Sequence, residues 1–148
     1  MNKIKTSLIW ILVFFTSFQS QSQIKKYTEY EVAKSEAMQQ DKDILIVLTG
    51  SDWCKPCIKM NKNVFENADF ITFADKNLII FEVNLDRHWD LDSKLYKDYN
   101  YFKNKYQTNA LPCLVLIDKN EVTKSIISEG LTSFEKTFTK LNRLINKQ

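Results

Sequence analysis

The hexapeptide Asp52-Trp53-Cys54-Lys55-Pro56-Cys57 sets two thiols three positions apart. Cysteines at that spacing can bind a metal, form a permanent bridge, or cycle between dithiol and disulfide. On the first turn of a helix the two sulfurs come close enough to close a small disulfide ring. The first then meets unpaired backbone N–H groups and the positive end of the helix dipole. Cys54 is therefore expected to be exposed and to ionise more readily than a free thiol, whose pKa is about 8.5. Lys55 adds a positive charge beside it, and Asp52 opposes that charge. Pro56 falls early in the helix, where a missing N–H matters little, and it removes one donor near the second sulfur.

A third cysteine, Cys113, stands apart from the pair. Unpaired cysteine is among the most buried residue types, so a small core residue is the favoured reading. The sharper readings are a third thiol within reach of the pair, or a metal site built from Cys54, Cys57, Cys113 and His88. A single loop histidine is usually a surface residue, and no metal is assigned.

The elements that must position these groups follow from hydrophobic patterning. Thr28 and Glu31 have capping-box spacing ahead of Tyr30, Ala33 and Ala37, which predicts a helix over 28–40. DILIVLT, residues 43–49, is a continuous β-branched run suited to a strand covered on both faces. Gly50, Ser51 and Asp52 break it, and a helix is expected from the cysteine pair past Met60 towards Phe65. A short helical piece over 67–76 precedes a second strand, LIIFEVN, at 78–84. Leu91, Leu95, Tyr99, Phe102 and Tyr106 form a helical stripe facing a core. Residues 113–118 and 122–127 read as a hairpin, with Asn120 suited to a left-handed turn. Thr132 and Glu135 then cap a last helix with Phe134, Phe138, Leu141 and Ile145 on one face. This alternation predicts an α/β fold, a mixed sheet with helices on both sides.

With 148 residues there is room for one domain with a core that needs no staples. Lys3 and Lys5 precede the apolar run of residues 8–15 and a polar stretch ending at Ser22, the layout of a secretory signal. The run is too short for a bilayer span, which takes about 20 residues. The expected organisation is a signal peptide over 1–22 and an exported domain over 23–148, with an uncleaved membrane anchor as the alternative. Cleavage removes two lysines and no acid, lowering the formal charge from +3 to +1. A nearly neutral domain without a basic stripe gives no support to nucleic-acid binding. Three cysteines in an exported chain leave at least one thiol outside a permanent bridge, or a pair that cycles.

The segment SDWCKPCIKM resembles the W-C-x-P-C centre of the thioredoxin family. FEVNLD, residues 81–86, resembles that family's third strand. LPCLVLIDKNEV, residues 111–122, resembles the segment in which a cis-proline faces the disulfide, and Gly130 then precedes the last helix. The likeness covers most of residues 40–146 and is strongest to small exported thioredoxin-like proteins and the C-terminal domain of the membrane disulfide reductase DsbD. It implies a thioredoxin-like fold, a mixed central β-sheet flanked by α-helices, and thiol–disulfide exchange with protein disulfides. Cys54 would attack, Cys57 would resolve, and Trp53, Leu111 and Pro112 would form an apolar docking lip. The resemblance further implies a reducing direction, a membrane or soluble redox partner, no cofactor and a monomer. The competing reading is a binding module that keeps the lip and holds Cys54–Cys57 as a static bridge.

Three positions depart from the family's pattern. Leu48 stands where an aspartate usually helps to deprotonate the second thiol, and Glu82, in an otherwise apolar strand, is the candidate replacement. Cys113 stands where threonine or valine is usual. The stretch 86–106 is longer than in small thioredoxins and is a candidate for choosing or gating the partner.

Overall fold

The computed structural model describes residues 23–146; the signal peptide expected over 1–22 lies outside the described residues. In chain order the elements are β1 (Lys26–Tyr27), α1 (Tyr30–Gln40), β2 (Asp43–Thr49), α2 (Lys55–Met60), a π-helical turn (Asn61–Phe65) and α3 (Ala68–Asn77). They continue with β3 (Leu78–Asn84), α4 (Lys94–Lys105), β4 (Cys113–Ile117), β5 (Thr123–Ile127) and α5 (Phe134–Ile145). The five strands form one sheet in the order β1-β3-β2-β4-β5. β3 runs parallel to β1 and β2, while β4 is antiparallel to both β2 and β5. The mixed sheet with helices on both faces is the architecture expected from the sequence.

β2 is apolar throughout because its sides face two different cores. Leu45 and Val47 pack with Leu78, Ile80, Leu114 and Leu116 against α2, the π-helical turn, α3 and α5. Ile44, Ile46 and Leu48 pack with Ile79, Phe81, Val83 and Val115 against α1 and α4. Alternation along each strand thus feeds both layers, and the end of this doubly buried strand leads into the cysteine pair.

Element starts differ from the sequence expectation where a neighbouring residue wins. Tyr27 is still paired with Phe81 in the sheet, so the chain turns at Thr28 and α1 begins after Glu29 with no side-chain cap. The box expected from Thr28 is not made. At α5, Gly130 in a left-handed conformation and the Ser133 N–H to Gly130 carbonyl bond set Ser133 as the cap, not Thr132. Ser93 caps α4, which leaves Leu91 before the helix and 62% exposed, outside the expected stripe. In the hairpin, the Asp118 carboxylate accepts from the N–H groups of Asn120 and Val122. The left-handed residue is therefore Glu121, at φ 67°, not Asn120. Its carboxylate accepts from the Tyr30 hydroxyl at 2.6 Å and pairs with Lys34 at 2.8 Å, tying the turn to α1.

Candidate active site

Gly50 follows the last residue of β2, and its carbonyl accepts from the N–H groups of Trp53 (3.3 Å) and Cys54 (2.9 Å). That turn delivers Cys54 as the N-cap of α2, with Pro56 in the first turn where no N–H is missed. Cys54 and Cys57 are joined as a disulfide with Cα atoms 5.2 Å apart. The Cys57 N–H donates to Cys54 Sγ at 3.3 Å, so the first sulfur takes one of the donors a helix start leaves free. Lys55 and Pro56 face solvent.

From the other side comes the segment before β4. The Leu111–Pro112 peptide bond is cis, and the Leu111 carbonyl oxygen lies 3.7 Å from Cys54 Sγ. Leu111 is half-buried and Pro112 buried. Cys57 is fully buried and Cys54 only 6% exposed, which corrects the expectation of an open Cys54. The disulfide ring and the Leu111–Pro112 segment lie against it.

Trp53 is pinned beside the pair. Its Nε1 donates to the Leu85 carbonyl at 2.8 Å, and a Cβ added at Gly50 would lie 2.7 Å from its ring. Glycine is required here by close approach, a role the sequence reading gave only to chain breaking. Asn84 exchanges bonds with Ser51, accepting from its N–H at 2.8 Å and donating to its hydroxyl at 2.6 Å. Arg87 Nη2 reaches the Asp52 carbonyl at 3.1 Å. The Trp89 ring lies 6.1 Å from that of Trp53 and stacks on Tyr96 at 6.3 Å. Asn84, Arg87 and Trp89 were not singled out from sequence; for Arg87 and Trp89 the extra length of the 86–106 stretch was the available signal.

Glu82 is registered beside Val47 in the sheet and shares its face, the one α2 covers. Its carboxylate pairs with Lys26 Nζ at 2.5 Å, and Lys26 also donates to Asn61 Oδ1 at 3.1 Å. The Glu82 side chain is 14% exposed. Leu48, at the position of the family's aspartate, packs instead in the layer under α1 and α4. Cys113 is registered opposite Leu48, fully buried and unpaired. Burial pushes its thiol pKa up, partly countered by a bond to the Thr108 hydroxyl. His88 is exposed, and among the described residues no three His, Cys, Asp or Glu side chains gather as metal ligands. A groove of about 520 Å³ opens beside β1, lined by Lys26, Asn61 and Phe65 among others. None of its lining residues belongs to the disulfide or its lip.

Comparison with known proteins gives the same picture. The family model described as a thioredoxin-like domain matches residues 30–145. Two relatives come from Chlamydia pneumoniae. The thioredoxin-related protein DsbJ is 27% identical over 95 residues, 64% of this chain and 27% of its own length. The disulfide bond reductase DsbH is 30% identical over 93 residues, 63% of this chain and 56% of its own length. The chain thus spans about a quarter and just over half of these two relatives. Among solved structures, a DsbH oxidoreductase superposes with a TM-score of 0.74 at 23% identity, covering 86% of this chain and 88% of the other. The oxidised C-terminal domain of Neisseria meningitidis DsbD gives 0.59 at 10% identity, covering 80% and 98%.

Proposed function

The chain belongs to the thioredoxin-like family, and from that premise we propose that it is an exported thiol–disulfide oxidoreductase that reduces disulfides in protein partners. The observation that carries this reading is the Cys54–Cys57 disulfide at the start of α2, with the Cys57 N–H aimed at the first sulfur. In the reduced protein that N–H stabilises a thiolate at Cys54. The thiolate attacks one sulfur of a partner disulfide, forming a mixed disulfide and expelling the other partner sulfur as a thiolate. Cys57 then loses its proton and attacks Cys54, closing the ring and releasing the second partner sulfur. Two electrons pass to the partner, so a dithiol donor, membrane-bound or soluble, must reopen the ring before the next cycle.

Glu82 is assigned the proton of Cys57, on the strength of its place on the α2-covered face. Trp53, Leu111 and Pro112 hold the partner's chain, and Lys55 and Pro56 complete the centre. The exchange needs no cofactor, and one copy of the chain carries the whole site. The basic, apolar, polar layout of residues 1–22 supports export to a bacterial periplasm.

The test is a titration of residues 23–148 in glutathione buffers, with thiols counted by mass spectrometry, beside an insulin-reduction assay. A reversible two-electron transition at the pair is expected, lost in Cys54→Ser. A midpoint near about −270 mV supports the reducing direction, and one near about −120 mV overturns it. A bridge that resists every reductant, with no insulin reduction, would make the chain a static binding module.

A further inference from the structure

Beyond the disulfide and its lip, one feature of the same face has no part in the exchange chemistry. The loop joining β3 to α4 carries Trp89, 44% exposed although its ring is held between Trp53 and Tyr96. Leu91, two residues on, is 62% exposed. Large rings held by neighbours yet left partly open are what protein partners use as anchors, and tryptophan and tyrosine lead that list. The loop is fixed against the redox turn at two points: Leu85 accepts from the Trp53 indole and Arg87 donates to the Asp52 carbonyl. Trp89 is therefore a preset surface continuous with Trp53 and with the sulfur beyond it.

The charges around it name the occupant. Asp52, Asp86, Asp90 and Asp92 are exposed, and among the described residues none of them is in an ion pair. Arg87 is the one fixed cation of this loop, and its guanidinium is engaged by a backbone carbonyl. The rim is thus acidic beside an aromatic platform, while the other flank of the disulfide carries Lys55 and Lys59. A chain laid across the face meets opposite charges on its two sides, and its basic side is fixed over Trp89.

We propose that residues 85–92 select the partner, with Trp89 as the specificity-determining residue, and that the preferred substrate is an extended protein segment whose disulfide is flanked on one side by basic and apolar residues. The proposal rests on the oxidoreductase reading for its use but not for its measurement. The probes are two synthetic peptides with one internal disulfide each, one flanked by Lys-Leu-Arg and the other by Glu-Leu-Glu. Each is also made with serine in place of both cysteines, for binding followed by tryptophan emission.

At low salt the basic peptide is expected to bind about tenfold more tightly in its serine form, and its disulfide form to be reduced with about tenfold higher kcat/KM. Both preferences should fall with salt. Trp89→Ala should remove most of the difference through KM, with kcat kept, and Trp89→Phe should restore it. An Asp90→Asn, Asp92→Asn double variant should lose the salt dependence while keeping the Trp89 contribution. Equal binding of the two serine peptides overturns the proposal, as does a dimer in solution that shields Trp89. If neither disulfide is reduced while the basic serine peptide is still preferred, the oxidoreductase reading falls and the docking surface stands.

Discussion

Replacing Gly50 with alanine sets two effects of opposite sign against each other. Gly50 is not in a left-handed conformation, so alanine should by itself stabilise by about 0.4–1 kcal/mol, through a less free unfolded chain. The native state opposes this. The new Cβ would lie 2.7 Å from Cε2, 2.8 Å from Nε1 and 2.9 Å from Cζ2 of Trp53. The indole must move, which breaks its bond to the Leu85 carbonyl, worth about 1 kcal/mol. Forcing a ring aside in a packed site adds about 1–3 kcal/mol. The net expectation is a loss of about 1–3 kcal/mol, or a Tm lowered by roughly 4–12 °C for a domain of this size. Trp53 and Trp89 are the tryptophans of residues 23–146, so emission should shift as the pair separates. Urea unfolding followed by circular dichroism gives the stability, and native-state emission gives the displacement. In a Trp53→Ala background the same Gly50→Ala change should become neutral or stabilising. If Gly50→Ala alone is neutral and emission is unaltered, the close approach of the indole is not what fixes this residue.

Three further outcomes follow from individual side chains. Glu82→Gln should slow resolution of the mixed disulfide by on the order of 10²-fold and move its pH profile, as loss of a general base does; stopped-flow release from a trapped partner reads both, and an unchanged rate and profile removes Glu82 from the mechanism. Burial holds the Cys113 thiol pKa up, so iodoacetamide at pH 8 should alkylate reduced Cys54 in the native protein and Cys113 only beyond the unfolding midpoint, as peptide mass mapping would show. Lys34, and then the Tyr30 hydroxyl, lower the Glu121 carboxyl below its usual range. A depressed carboxylate stabilises above its unfolded pKa, about 4.3, and that contribution is lost as pH falls through the folded value. Glu121→Gln should therefore cost less than about 1 kcal/mol at pH 7 and flatten the fall of urea midpoints below about pH 5.

What could be read from the sequence divides along physical lines. The runs 43–49 and 78–84 gave strand bounds that coincide with β2 and β3, because residues buried on both faces of a sheet leave an uninterrupted apolar signature. The cysteine pair, the tryptophan and the strand-leading proline were legible because each is a rare type at a fixed offset. Caps were not, since the choice between Thr132 and Ser133 turns on Gly130 one bend earlier. Glu121 was missed as the left-handed residue because the Asp118 carboxylate, not intrinsic preference, shapes that turn. The seat of Trp89 depends in part on Trp53, 36 residues earlier and itself held by the Leu85 carbonyl, and no local pattern carries that contact.

The π-helical turn connects the redox helix to the far edge of the sheet. The Glu66 N–H reaches back to the Asn61 carbonyl at 3.0 Å, and the widened turn lets the consecutive Val64 and Phe65 both enter the core. An ordinary helix would swing one of them about 100° around, towards solvent. Asn61, at the start of that turn, accepts from Lys26, which in turn neutralises Glu82 on β3. A residue of the edge strand β1 thus holds both the end of the cysteine-bearing helix and the carboxylate assigned to its second thiol. Removing the Lys26 ammonium would free that carboxylate while loosening the helix end, and the two consequences pull apart in measurement. A freed Glu82 should change the rate of resolution, whereas a loosened helix end should lower the urea midpoint. Lys26→Ala is therefore expected to slow resolution only if Glu82 takes the Cys57 proton, and to lower stability in either case through the lost bond to Asn61.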